Sequence, residues 1–303
     1  MSVIISSSEQ KFIFDGCREN CRQDGRARQE YRSYSTVSGA SSTSSSEQAD
    51  DHPPLALSNG SARVFLATGE THLLVSVKAE LVVPAMSHPS SGVLDIHVDF
   101  MHDKDETLGS TISNLLLPHL VDLERLCVVP NYYVWRLAID VLVIASNGGS
   151  LLDACSRGIH AAIQTTLLPK LTHEAAPDGG KPVLQIDSDI KNAYRIPGSD
   201  KAPVIATISL LKTSTEAKTT PVFILDATKE EEACAFAQVR VVLDRSSEEE
   251  PIICALHKAG GGSLPLGLLQ DVTSFVLQSF SQHDKLFSND GHQHMLQETF
   301  VIQ

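Results

Sequence analysis

Hydrophobic positions along this chain recur at two periods, and the alternation between them predicts a succession of strands and helices. Between Val93 and Phe100, the residues Leu94, Ile96, Val98 and Phe100 share one face at a period of two, the signature of a strand. Ala62 to Ala67 and His72 to Val83 are strand-like runs flanking Thr68-Gly69-Glu70-Thr71, which predicts a hairpin with a glycine in its turn. Tyr133 to Ala145 reads as a further strand, closed by Asn147-Gly148-Gly149. Val204 to Leu211 with Val222 to Leu225, and Val239 to Leu243 with Ile252 to Leu256, predict two more hairpins.

The helical period appears in four places. Ser6-Ser-Ser-Glu9 has capping-box spacing, Phe12, Ile13 and Cys17 suit an apolar face, and Asp24-Gly25-Arg26 marks the exit. Leu108 to Leu117 predicts a helix that stops near Pro118. Ser150 is placed to cap a helix running to about Leu168, with Leu151, Ala154, Cys155, Ile159, Ala162 and Ile163 at helical spacing. A closing helix is expected from Pro265 to Phe287, after Gly260-Gly-Gly262.

Hairpins followed by a helix occur twice, so the expected class is α+β, with two related halves whose mixed sheets pack on helices. The repeat lies in the pattern of elements, not in the residues. Residues 1–32 should hold the N-terminal helix and the strand leading on from it. Residues 33–59 are dominated by serine and too polar to offset their ordering entropy, which predicts a disordered insertion. The two halves are then 60–200 and 201–290, with a long connection from Thr172 to Pro203 and a flexible tail at 291–303.

Composition narrows the function classes. At 303 residues, 42% hydrophobic and 20% charged, the chain has the balance of an ordinary globular protein. The longest apolar stretch, Leu137 to Ala145, is interrupted by Asp140, so no membrane span is expected. Met-Ser-Val-Ile-Ile-Ser at the start lacks the features of a secretion signal. Cys17, Cys21, Cys127, Cys155, Cys234 and Cys254 form no CxxC pair and read as reduced, mostly buried small hydrophobes. The sequon Asn59-Gly60-Ser61 is then expected to be unmodified. A net charge of −13 without a basic cluster argues against an autonomous nucleic-acid binder.

One stretch carries candidate chemistry. Val222-Phe-Ile-Leu-Asp226-Ala-Thr228-Lys-Glu230-Glu231-Glu232 delivers an acid at the end of an apolar strand, and three more acids follow. Such carboxylates serve as general acids or anchor divalent metals. Thr228 to Glu231 also has capping-box spacing, so the acids fit a turn equally well. No convincing His-and-acid ligand set accompanies them. There is no GxSxG, P-loop or HExxH pattern, and His283, His292 and His294 sit in a weakly patterned tail.

The ordered set Asp24-Gly-Arg26, Gly60-Ser-Ala-Arg-Val64, Gly69 to Glu80, Gly148-Gly149 with Leu152-Asp153-Ala154, and Leu225-Asp226-Ala-Thr with Glu231-Glu232-Ala233-Cys234 resembles the RNase PH family. The spelling Val-Lys-Ala-Glu80, with Cys127-Val-Val-Pro130 before Trp135 and Asp140, is most similar to the family's eukaryotic exosome ring subunits. Active members of the family cleave RNA by phosphorolysis from the 3′ end. That chemistry needs a cationic cradle for phosphate, an acid for the leaving oxygen and a basic track for RNA.

The resemblance places Asp226 at the catalytic aspartate and Glu232 at a second aspartate. Active members read Gly-Gly-Thr-Arg at the turn into the central helix, and here Gly148-Gly149-Ser150-Leu151 puts leucine where the arginine belongs. Loss of one oriented donor costs roughly 3–4 kcal/mol of transition-state stabilisation, and a phosphate clamp should cost no less. The arginine-rich RNA track is replaced by Met101-His-Asp-Lys-Asp-Glu-Thr-Leu108, with one lysine and three acids. Lys78 and Arg63 are cations with no stronger credential, and the RNA-contacting residues stay undetermined.

What the resemblance implies is a non-catalytic subunit without a cofactor or resident metal. It would sit with other RNase PH-like subunits in a six-membered ring, bound by cap proteins and hydrolytic nucleases, around an RNA channel. Nucleus, nucleolus and cytoplasm would be its locations. The alternative is an active phosphorolytic exoribonuclease whose site is shared between subunits, with Asp226 as acid.

Overall fold

The computed structural model describes residues 4–39, 58–66, 70–102, 105–174, 180–187, 189–212, 220–244 and 251–287. The chain opens with helix α1 (Ser7–Arg18), started by a complete capping box between Ser6 and Glu9. Ile13, Phe14 and Cys17 form its buried face, whereas Phe12, expected on that face, is 68% exposed. Residue 12 falls a quarter-turn off the stripe set by 13, 14 and 17.

The first sheet contains β1 (Tyr34–Gly39), β2 (Gly60–Leu66), β3 (Thr71–Val82), β4 (Val93–Phe100), β5 (Cys127–Val129) and β6 (Tyr133–Ser146). Its order is β1-β2-β3-β6-β4, with β5 also pairing β6. Only β4 and β6 run parallel; the remaining pairs are antiparallel. Strand β1 corrects the reading of 33–59 as one loop insertion. Tyr34, Thr36 and Ser38 pair with Leu66, Val64 and Ala62, so the backbone is satisfied by the sheet despite a polar sequence. Residues 40–57 of that insertion, and Thr68 and Gly69 of the expected turn, lie outside the described residues.

Between β4 and β5 lies α2 (Glu106–Leu120), capped by Asp105, whose carboxylate accepts from the Thr107 amide. It runs past the stop expected near Pro118. A proline in the last turn removes an amide that would otherwise bond Asn114, and the buried Leu115, Leu116 and Leu120 still hold that turn in place. The central helix α3 (Leu151–Thr165) ends short of Leu168. The long connection then forms β7 (Leu167–Leu168), β8 (Leu171–Glu174), β9 (Val183–Ile186) and β10 (Tyr194–Arg195), in two small antiparallel pairs.

The second sheet is built from β11 (Val204–Leu211), β12 (Val222–Leu225), β13 (Ala235–Asp244) and β14 (Ile252–Gly260), in the order β12-β11-β13-β14. Helix α4 (Lys229–Cys234) links β12 to β13, and α5 (Leu266–Phe287) closes the described chain. Both hairpins expected here, and the extent of the last helix, agree with the sequence pattern, as does the α+β class. The polar tail, with His292 and His294, lies outside the described residues, as does the side chain of His283.

Two cores stack around α3. Its apolar face packs with α2 under the first sheet, through Val64, Leu73, Val75, Ile139 and Val141. A β-carbon on Gly158 would lie 2.8 Å from Leu73 and from Val75, so this glycine sets the close approach of helix to sheet. The opposite face of α3 meets β11. Here Asp153, Ser156 and His160 are all buried, and each bonds β11 or the residues just before it. Polar residues thus cover the side of α3 that the apolar spacing left blank. The far side of the second sheet is covered by Val272, Val276 and Phe280 of α5. No described helix is long and apolar enough to cross a membrane.

Candidate functional site

The strand β12 ends at Leu225 and the next residue, Asp226, turns into a left-handed conformation with φ 46°. Aspartate tolerates this region better than most residues, and the turn aims its side chain inward instead of along the strand. Ser150, immediately before α3, adopts φ 47° opposite it. Ser150 Oγ donates to Ala227 O at 3.2 Å, which ties the two turns together. Ser150 therefore occupies the expected cap position but makes no capping hydrogen bond. Gly149, with φ 77°, is required here: a β-carbon would lie 2.6 Å from Ala227 O and 2.8 Å from the Lys229 amide.

The sequence leaves the acidic cluster without a facing cation at Leu151, and the structure supplies cations from elsewhere. Arg26 Nη1 donates to Asp226 Oδ2 at 2.9 Å. Arg32 donates its backbone amide (2.7 Å) and Nε (3.0 Å) to Oδ2, and Nη2 (2.7 Å) to Oδ1. Arg22 Nη2 and Arg26 Nη2 donate to the Asp226 carbonyl at 2.9 and 3.2 Å. The Arg32 hydrogen bonds and charge, with Arg26 beside them, outweigh burial and hold the Asp226 carboxyl far below the ordinary range. A carboxylate stabilised in this way is ionised at any physiological pH and has no proton to give.

Glu231 is occupied in the same manner. Arg22 Nε donates to its Oε1 at 2.8 Å and Arg22 Nη2 to its Oε2, with both side chains almost fully buried. Oε2 also accepts from the Thr228 amide at 2.8 Å, completing the capping box of α4. The structural reading of Thr228 to Glu231 therefore holds for Glu231. Glu232 behaves differently. Its Oε1 accepts from the Ser150 amide at 2.9 Å, and burial raises its carboxyl to about 7. Asp153, beneath it in α3, is raised to about 6 by burial against the opposing hydrogen bonds from Thr207.

Arg22, Arg26 and Arg32 belong to a segment that straps the two halves together. Arg32 Nη1 donates to Gly148 O in the first half while its other groups hold Asp226 in the second. Arg157 of α3 lies over the rings of Tyr31 and Tyr34, at 4.7 and 4.6 Å, which fixes the same segment to the central helix. Sequence reasoning used Asp24-Gly-Arg26 only as a landmark and missed these arginines as partners. The available signal was four arginines within eleven residues, Arg22, Arg26, Arg28 and Arg32, the last beside Tyr31.

Leu151 opens α3 and carries no charge to the turn. Of the acidic stretch before Leu108, residues 103 and 104 lie outside the described set, and Asp105 serves as the α2 cap. Lys78 is exposed on β3, away from this cluster in sequence and strand, and Arg63 lies part-buried on β2. No group of three or more potential metal-ligating side chains occurs among the described residues. All six cysteines are free.

A family model described as the 3′ exoribonuclease family, domain 1 (RNase PH), matches residues 40–169. Exosome complex component Rrp42 of Sulfurisphaera tokodaii is 27% identical over 94% of this chain and 94% of its own length. Exosome complex component RRP45A of Arabidopsis thaliana is 26% identical over 84% of this chain and 77% of its own. Among solved structures, an archaeal exosome core superposes with a TM-score of 0.63 at 20% identity, covering 92% of this chain and 95% of that one. The Archaeoglobus fulgidus exosome with RNA bound to the active site gives 0.62 at 19% identity, covering 92% and 97%. These two structures carry the fold, and the match of residues 40–169 to the RNase PH model, with relatives alike over most of their length, makes this chain similar to the RNase PH-like components of exosomes.

Proposed function

We propose that this chain is a non-catalytic, RNase PH-like ring subunit of an RNA exosome, which shapes the ring and its RNA channel for 3′-to-5′ processing and degradation. The observation that carries the reading is the state of Asp226, the residue at the family's catalytic position. Two arginines saturate both of its oxygens, and burial leaves its side chain 2% exposed. An acid catalyst must hold a proton near the operating pH, and Asp226 is held far from that condition. Leu151 adds the second deficit, because the turn that should clamp phosphate presents a leucine.

The names of the relatives support exosome membership, and the spelling around Glu80 and Pro130 favours the subunit called ribosomal-RNA-processing protein 42. Partners would be the other RNase PH-like subunits of a six-membered ring, the cap subunits, the hydrolytic nucleases and RNA held by the assembly. Ribosomal-RNA processing in nucleus, nucleolus and cytoplasm follows from that membership. The net charge of −13 fits a member of an assembly better than a solitary RNA binder.

One observation favours the alternative of an active exoribonuclease with a shared site. Glu232 titrates near 7, so a neighbour's arginine beside it would complete an acid-and-clamp pair. Co-expression of this chain with candidate ring subunits, followed by native mass spectrometry and crosslink mapping, tests the scaffold reading. A six-membered ring containing one or more copies supports it; a chain that stays outside every ring overturns it.

A further inference from the structure

The chain contains two Asn-Gly pairs, Asn59-Gly60 and Asn147-Gly148, and the fold treats them in opposite ways. Asparagine is chemically labile, most of all before glycine, which has no side chain to shield its amide nitrogen from the asparagine carboxamide. Asn59 is held at every polar group it has. Its Nδ2 donates to Leu167 O at 3.0 Å, and its Oδ1 accepts from the Ala79 amide at 2.8 Å. Its backbone amide donates to Val77 O, and its carbonyl accepts from the Leu167 amide. Gly60 opens β2 and is packed so closely that a β-carbon would lie 2.5 Å from Ala162 O.

Asn147 stands just past Ser146, the last paired residue of β6, and is exposed. Its backbone amide donates to Glu70 O at 2.9 Å. Among the described residues, neither its carboxamide nor the Gly148 amide has a hydrogen-bond partner. The two groups that would react are therefore both unengaged. Glycine is needed at 148 for a separate reason. A β-carbon there would lie 3.0 Å from Thr71 Oγ1 and 3.2 Å from Arg32 Nη1, the group that donates to Gly148 O. Close approach of the arginine strap thus dictates the residue that leaves Asn147 unshielded.

We propose that Asn147 is a site of spontaneous deamidation, and that the isoaspartate formed there loosens the Arg32 strap between the two halves. The Gly148 amide nitrogen, its proton taken by hydroxide, attacks Asn147 Cγ. The new C–N bond closes a succinimide, and ammonia leaves with a proton from water, which restores the hydroxide. A second water then opens the ring. Opening at Cγ gives aspartate; opening at the main-chain carbonyl leaves Gly148 attached to Cγ, which is isoaspartate. The main chain then runs through Cβ and Cγ. That adds a carbon between Ser146, paired with Thr71, and the Gly148 carbonyl that accepts from Arg32.

Peptide mapping by mass spectrometry of the full chain, aged in mildly alkaline buffer, tests the site. Asn147 should convert roughly tenfold or more faster than Asn59, which must break two side-chain hydrogen bonds before its ring can close. Hydrogen exchange should be faster in the aged chain at peptides spanning Arg32 and Gly148. Asn147→Asp, with the same charge but no extra carbon, should exchange there like the fresh chain. Aged Asn147→Gln should show neither change. Equal conversion at Asn59 and Asn147, or an aged chain with Asn147 intact, overturns the site. Conversion without faster exchange, or equally fast exchange in Asn147→Asp, overturns the link to the strap.

Discussion

Replacing Asp226 with asparagine removes one charge, keeps the side-chain shape, and leaves two nearly buried guanidinium groups short of an anion. The Asp226 side chain is 2% exposed, and those of Arg26 and Arg32 are 10% and 9% exposed. Removing one member of a buried ion pair costs about 3–5 kcal/mol. Here the loss is partly covered, because Arg26 keeps Asp24 at 2.7 Å and Arg32 keeps the carbonyls of Gly148 and Ala227. The lower end, about 3 kcal/mol, is therefore the expected penalty. At about 2–4 °C per kcal/mol, Asp226→Asn should lower Tm by roughly 6–12 °C. Urea denaturation of the full chain followed by circular dichroism measures it, with an unchanged m-value showing that the loss is in stability. A loss below about 1 kcal/mol, the range of exposed pairs, would refute the view that Asp226 anchors the arginine strap. The pH dependence gives an independent check. Asp226 titrates below its ordinary 3.8, so its contribution is present above that value and lost on further acidification; the loss should be shallower in Asp226→Asn.

Three further outcomes follow from the same geometry. Gly149→Ala should destabilise by at least about 2 kcal/mol in a thermal melt, because the left-handed backbone itself costs roughly 1–2 kcal/mol and the added carbon meets Ala227 O at 2.6 Å. Glu231→Gln should destabilise more than Glu230→Gln, since Glu231 holds buried Arg22 whereas Glu230 is exposed; equal effects in denaturant titrations would contradict the bidentate pair. Glu232 is raised from 4.5 to about 7, so its neutral form favours the fold below pH 4.5 and that advantage is lost as pH rises through 7. Thermal melts across pH 5–8 should show a smaller decline for Glu232→Gln than for the unmodified chain.

The strands and helices were legible where one face meets a core and the other meets solvent or polar groups. β4 and α5 are such elements, and their periods gave their extents closely. β1 was hidden because Ser35, Thr36 and Ser38 carry no apolar alternation; its order comes from pairing with β2. α3 showed only half its character. Ala154, Cys155, Ile159 and Ile163 announce the face toward the first sheet, while Asp153, Ser156 and His160 look like a solvated face and are buried against β11. At the site, Asp226 and Glu232 stood out by position after an apolar strand. Their partners lie about 200 residues away in Arg26, Arg32 and Arg22, and across a helix in Ser150. Contacts at that sequence distance leave no local period, so the charge state of each acid became readable only with the fold.

The most direct test of the non-catalytic reading is nucleoside diphosphate release from an RNA with a free 3′ end, in the presence of inorganic phosphate. The ring containing this chain would be used, with its other nucleases disabled. With Asp226 locked as a carboxylate and Leu151 at the clamp, release should not rise above that of RNA and phosphate alone. Phosphate-dependent release above that level would contradict the account.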